Sequence, residues 1–433
     1  MIQRGRWHPH SRRPIPALAS LLALALLLGS CSTSRKAILL TDSPEILLAV
    51  ELFNSTHDSF LIEASYAENI ANSLARAEGG KDGLPSIVIG RGLNGAALSD
   101  RFISLDHLLG GLGTDRTAFY PALLAAGRRG PDQILLPVSF NALLVLASRG
   151  GERDREAFLP PGPIASISDL KSASLRFSSL PENSSARGFS PRWPDRDMLF
   201  QWSRLSGVAF REGQERKVLA WNADALEGFI SSLKELVSSV SGSIDAEDAF
   251  AFKYLRAPGY KNVESGRILF AAMASGDYFL LPPLERARFA FRYFGGEGKI
   301  PILETALFAG IPRGSRGRAA AEKFLRWFFN PETHEALLRR SRDVRAFESS
   351  FGIAGGFSSL VEVTESIMPK YYSDLSGMLP PKESLVPAEA LPPSWKRIKE
   401  ELVLPWLSDP KGGAKEFGEA LGAYLDKNPE VRK

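Results

Sequence analysis

The sequence predicts an α/β fold in two lobes, and two observations carry that prediction. Short apolar runs alternate with amphipathic segments along most of the chain, the pattern of parallel sheets with helical crossovers. The 433 residues exceed what one hydrophobic core holds. Composition agrees with a globular protein, at 44% apolar and 24% charged residues.

The alternation begins at "AILL" (37–40), a buried strand bounded by "TDSP". Ser43 suits an N-cap and Pro44 a first helical position. Ile46, Leu47, Val50 and Phe53 follow at helical spacing, predicting a helix over 44–54. A strand over 59–66, a helix over 69–77 and a strand over 84–90 continue the pattern. "DQILLPVSFNALLVLAS" (132–148) reads as a strand interrupted by Pro137 and continuing past Asn141. Residues 167–178 read as a short helix followed by a strand, and 197–207 and 222–240 as helices. Leu226, Phe229, Ile230, Leu233 and Val237 form one face of the second of these. Residues 265–283 are strand-rich, 304–315 a strand ending in a turn, and 317–340 a long helix with a break at Pro331. Two polar, Pro-rich stretches, 178–197 and 378–394, read as surface loops.

The first thirty residues differ from the rest. Arg4, Arg6, Arg12 and Arg13 precede an uncharged apolar run that ends in small residues, the form of a secretory signal. Leu28-Gly29-Ser30-Cys31 resembles a bacterial lipobox, in which the cysteine is acylated and becomes the mature N-terminus. Cys31 is the only cysteine, so a disulfide within the chain is excluded. Residues 31–36 then form a polar tether. Cleavage removes four arginines and no acid from a total of 53 bases and 49 acids, leaving 49 of each. The basic pI therefore belongs to the leader, and a nucleic-acid footprint is not supported.

The chemistry inventory is sparse. Only His57, His107 and His334 lie beyond the leader, far apart and each at a surface or helix-end position. Paired-cysteine, His-x-x-His, nucleophile-elbow and Walker patterns do not occur. Neither a metal nor a cofactor is expected, and a secreted hydrolase is a remote third reading. Aromatic residues make up 10% of the chain. Trp193, Trp221, Tyr278 and Trp395 sit beside Gly, Pro, Asp or Asn at segment boundaries, where ligand contact competes with core packing.

These segments together resemble the extracellular solute-binding proteins of ATP-driven importers, in the branch typified by maltose-binding protein. "ILLTDSPEILLAVELFN" is similar to that family's first βα unit, and "LPSIVIGRG" to its third strand. "GRILFAAMASGDYFL", "ALFAGIPRGSRGRAAAEKFLRWFFNPETHEALL" and "LPPSWKRIKEELVLPWL" resemble three later segments. The resemblance implies a type II periplasmic-binding-protein fold: parallel-dominated sheets in two lobes, a hinge, and a ligand cleft between them. It places lobe one at 37–138 and 296–330 and lobe two at 141–294 and 333–430. Crossings would fall near 139–141, 294–299 and 331–333.

Ligands of open parallel sheets lie beyond the carboxyl ends of the strands. Asp42 and Ser43 after the first strand and Arg91 after the third are therefore candidates, although Ser43 serves equally well as a helix cap. Phe140 and Asn141 lie at the first crossing. The resemblance makes Tyr278 and Trp395 cleft aromatics, with Trp193 near the cleft and Trp221 a further candidate. It implies a monomer that is not an enzyme. The protein would be anchored in the cell envelope by acylated Cys31 and pass a captured carbohydrate to a permease. An anionic solute held by Arg91 is the second choice of ligand. The alternative reading is a lipoprotein of this fold that acts as a sensor or surface interaction protein, with its cleft filled by side chains.

Overall fold

The computed structural model describes residues 35–76, 84–110, 114–150, 154–193, 196–213, 218–344, 350–410 and 412–432. Cys31, the leader and most of the tether lie outside the described residues. In chain order the elements that build the fold are β1 (Lys36–Thr41), α1 (Ile46–Thr56), β2 (Leu61–Tyr66), α2 (Ile70–Arg76) and β3 (Ile87–Arg91). Next come β4 (Leu136–Phe140), β5 (Leu143–Ser148), β6 (Ile164–Ala165), α3 (Ile167–Ser178), α4 (Asp197–Leu205) and α5 (Ala223–Ser241). The chain continues through β7 (Ala271–Ala274), β8 (Phe289–Phe294), β9 (Ile300–Pro301), β10 (Leu307–Gly310), α6 (Arg318–Phe328) and α7 (Pro331–Asp343). It ends with β11 (Phe357–Ser358), β12 (Leu385–Val386), a helical run over 395–408 and α8 (Ala414–Lys427).

Two sheets organise the chain. The first has the order β11-β4-β10-β3-β1-β2, with β1 parallel to both β2 and β3. Residues 87–90 of β3 are fully buried, as a central strand covered on both faces must be. The second has the order β7-β5-β8-β6; β5 pairs antiparallel with both neighbours, and β8 runs parallel to β6. The second sheet lies between two apolar clusters, one of which continues into the core of the first sheet. Leu144 and Leu146 of β5 face that shared cluster, while Leu143, Val145 and Ala147 face the other. The period-two alternation of a strand makes this division possible.

Among the described residues, three segments lead from one sheet and its helices to the other. The first crossing is the short step from β4 to β5. The second runs from β8 to β10 through β9, and the third passes through β12, which pairs parallel with β9. The third does not fall at 331–333. Pro331 instead starts a second helix, capped by the Asn330 side chain accepting from the Glu332 amide at 3.1 Å. That helix packs on α1, and β11 adds an edge to the first sheet beside β4. Residues 331–344 and 357–358 thus pack with the first sheet, and the third crossing passes through β12 at 385–386.

Other expectations change for local reasons. Residues 167–178 are helical throughout, because a Ser166–Asp169 capping box starts the helix and Leu170, Ala173 and Phe177 line one buried face. The stretch 265–283 holds only one short strand before a helical turn, Ser275–Leu280. The segment 178–193 is not a surface loop over its whole length. Phe189, Ser190 and Trp193 are buried, and Arg192 forms an interior ion pair with Glu247 at 2.8 Å. The segment 378–394 contains β12 and the third crossing. His334 is fully buried rather than at the surface; burial pushes its pKa down to about 3, and Nδ1 meets the Ser358 hydroxyl at 2.9 Å.

Candidate functional site

A cavity of about 430 Å³ opens between the lobes, within the range of small-molecule sites. Its first wall is the carboxyl end of the first sheet: Asp42 after β1, Tyr66 at the end of β2 with Asn69 beyond it, and Arg91 at the end of β3 with Asn94 beyond it. Its floor is the second crossing, from Ile302 to Ala306. The opposite wall combines Asp197 at the start of α4, the third crossing and the helical run that carries Trp395 and Lys399. The strand ends supply this wall because three parallel strands stop together and their following loops turn outward.

Asp42 and Arg91 meet across β1 and β3. An Arg91 Nη donates to the Asp42 carboxylate at 3.2 Å and to the Asp42 carbonyl at 2.9 Å, and the Arg91 amide donates to the other carboxylate oxygen at 3.2 Å. A Cβ at Gly90 would sit close to this pair, 3.4 Å from the Asp42 carboxylate and 3.3 Å from Ile70. Burial raises the Asp42 pKa above its ordinary value, and Arg91 offsets only part of that rise. Asn69 takes a positive φ of 52°, a left-handed conformation that asparagine tolerates and that sets its side chain on the cavity wall.

The floor holds a buried charge network. Glu304 accepts from Lys399 Nζ, from Gln201 at 3.3 Å and from the Trp395 indole N–H at 3.4 Å. Lys399 also pairs with Asp197 at 2.7 Å. Behind them the Arg204 guanidinium donates to the carbonyls of Ile302 at 2.7 Å and Val386 at 2.9 Å, stitching the second crossing to the third. Burial lowers the Arg204 pKa to about 10. For Glu304 burial works upward, yet Lys399 and Arg204 outweigh it and hold the carboxyl below its ordinary range. For Lys399 burial works downward, and Glu304 and Asp197 outweigh it to raise the pKa.

Of the sequence-derived candidates, the structure brings Asp42, Arg91 and Trp395 together on the cavity. The others lie elsewhere. Ser43 is fully buried and its hydroxyl donates to Glu45. Phe140 is 1% exposed, packed between Tyr120 and Phe357. Asn141 pins the first crossing, donating to the Gly355 carbonyl at 2.8 Å and accepting from the Ser275 hydroxyl at 2.7 Å. Tyr278 is 1% exposed among Phe279 and Phe291, because the turn Ser275–Leu280 rotates it inward. Trp221 packs edge-on against Phe417. Trp193 stacks on Phe250 and lines a separate cavity of about 320 Å³ in the second lobe.

Many wall residues escaped the sequence reading, among them Tyr66, Asn69, Glu304 and Lys399. Tyr66, 51% exposed, was accessible to the same strand-end rule that selects Asp42. Lys399 lies four residues after Trp395, one helical turn on. Glu304 and Asn69 carry no local signal, since only the meeting of the crossings and the loop geometry expose them.

No family model matches the sequence, and no curated protein matches it either. Solved structures do. A cyclic α-maltosyl-1,6-maltose binding protein from Arthrobacter globiformis is 16% identical with a TM-score of 0.59, covering 89% of this chain and 96% of its own. The GacH receptor of Streptomyces glaucescens, solved unliganded and with acarbose, is 14% identical with a TM-score of 0.58 over 90% and 97% of the two chains. A family 1 extracellular solute-binding protein from Alicyclobacillus acidocaldarius is 14% identical with a TM-score of 0.62 over 92% and 98%. The chain has the two-lobed fold of extracellular solute-binding proteins. The cavity between its lobes is the cleft of that fold.

Proposed function

We propose that this protein captures a carbohydrate in the interlobe cleft and delivers it to a membrane permease. The observation that carries the reading is the open cavity itself, which combines aromatic surface from Tyr66 and Trp395 with hydrogen-bonding groups from both lobes. Aromatic faces pack on the C–H faces of sugar rings while carboxylates and amides take the hydroxyls. Two structural neighbours are named for the sugars they bind or were solved with, which supports the same solute class. A cavity of this size favours capture over the sensor or interaction reading, which expects a cleft filled by side chains. An anionic solute is disfavoured, because Arg91 is already bonded to Asp42.

A saturating sugar ligand is expected to raise stability by RT ln(1 + [L]/Kd), about 2.7 kcal/mol at a hundredfold excess over Kd. Thermal unfolding against a panel of oligosaccharides measures this; a flat response across the panel counts against the reading. The lipobox-like "LLGSC" further supports an anchor at acylated Cys31, on the periplasmic or extracytoplasmic face of a bacterial membrane. Cys31→Ala is expected to abolish metabolic labelling by radiolabelled palmitate, and persistent labelling would refute the anchor. Among the described residues, no helix is long and apolar enough to cross a membrane.

A further inference from the structure

We propose that the captured glycan carries an ammonium group, and that Glu68 and Glu400 select for it. This selectivity rests on the carbohydrate reading of the cleft. The mature chain balances 49 bases with 49 acids, but the cavity does not share that balance. Six carboxylates line it, from Asp42, Glu68, Asp197, Glu304, Glu389 and Glu400, against three cations from Arg91, Lys396 and Lys399. Two of the cations are already engaged: Arg91 is bonded to Asp42, and Lys399 to Glu304 and Asp197. The Glu68 and Glu400 carboxylates make no hydrogen bond or ion pair among the described residues, and both are exposed; Glu389 is also exposed, but its charge acts on Arg204.

The two stand on different walls. Glu68 follows β2 in the first lobe, and Glu400 lies on the helical run of the second. Closing the lobes on a neutral sugar strips water from two unpaired anions and brings like charges nearer, which opposes closure. An ammonium between them supplies the missing donor and counter-charge, since a carboxylate can only accept. The half-exposed Tyr66 ring, two residues before Glu68, offers the same cation an aromatic face. A uronic acid would meet the opposite field, with Lys396 as the one wall cation not committed to a carboxylate.

The test is calorimetric titration of the purified protein with chain-matched oligosaccharides, neutral, amino-bearing and uronic, including chito-oligomers with and without their acetyl groups. The tightest ligand is expected to be amino-bearing, by roughly tenfold over its acetylated counterpart at low salt, the sum of two exposed ion pairs. The gap should narrow as ionic strength rises. In the double variant Glu68→Gln, Glu400→Gln the gap should close while the neutral ligand still binds. A neutral or uronic ligand binding tightest, or a gap that survives in the variant, overturns the selectivity and leaves the carbohydrate reading standing. If no oligosaccharide of any charge binds, the carbohydrate reading falls and the selectivity falls with it.

Discussion

Replacing Glu304 with leucine is expected to destabilise the protein by about 3–5 kcal/mol, the range for breaking a buried ion pair from one side. The Glu304 and Lys399 side chains are only 8% and 10% exposed. Without the carboxylate, Lys399 keeps only Asp197 as an ion-pair partner, and the Arg204 guanidinium loses its strongest counter-charge. The effect depends on pH in a defined direction. The folded Glu304 pKa lies below its ordinary 4.5, so its stabilisation is fully present above that value and drains as pH falls through the lower folded pKa. The folded Lys399 pKa lies above 10.5, so its share is present below that value and is lost as pH rises through the folded pKa. Urea unfolding of wild type and variant should therefore differ most between about pH 5 and 10 and converge in acid. A difference under about 1 kcal/mol at neutral pH would show that the pair contributes nothing net.

Trp395→Ala is expected to cost about 3–5 kcal/mol as well, for a different reason: it empties a buried aromatic site. The indole is 6% exposed and packs against Phe200 at 5.1 Å and Phe210 at 6.1 Å between ring centroids. Because Trp395 also faces the cleft, the alanine variant should lose the ligand-induced rise in melting temperature. Trp395→Phe separates the two roles. It keeps most of the packing, so stability should fall by less than about 1.5 kcal/mol, while the hydrogen bond to Glu304 disappears. If the phenylalanine variant loses as much stability as the alanine variant, the indole N–H rather than the packing holds this wall.

How much of the site was legible in the sequence depends on how local its signals are. Asp42 and Arg91 follow apolar runs bounded by turn residues, so a general rule about strand ends reaches them without knowledge of the fold. Tyr278 and Trp193 carry the same kind of boundary signal and yet pack inward. A residue beside a glycine or proline is placed at a turn, but the turn's rotation decides which way the ring points. Phe140 and Asn141 show the middle case. Their place between two strands was visible in the interrupted run, while the contacts of Asn141 with Gly355 and Ser275 come from segments more than 130 residues away.

The sequence by itself determined the α/β class, the strand and helix order of the first lobe and the length that requires two cores, because hydrophobic periodicity is a property of neighbouring residues. It also set the even balance of acids and bases over residues 31–433. Only the tertiary structure decided that the helix after Pro331 and β11 pack with the first sheet, that parts of both Pro-rich stretches are buried or cross between the lobes, and that Glu304, Lys399 and Asp197 form one ion-pair network. Those outcomes depend on which faces meet across the hinge. Burial then assigns each charge a partner or leaves it exposed in the cleft, and no stretch of sequence encodes that alone.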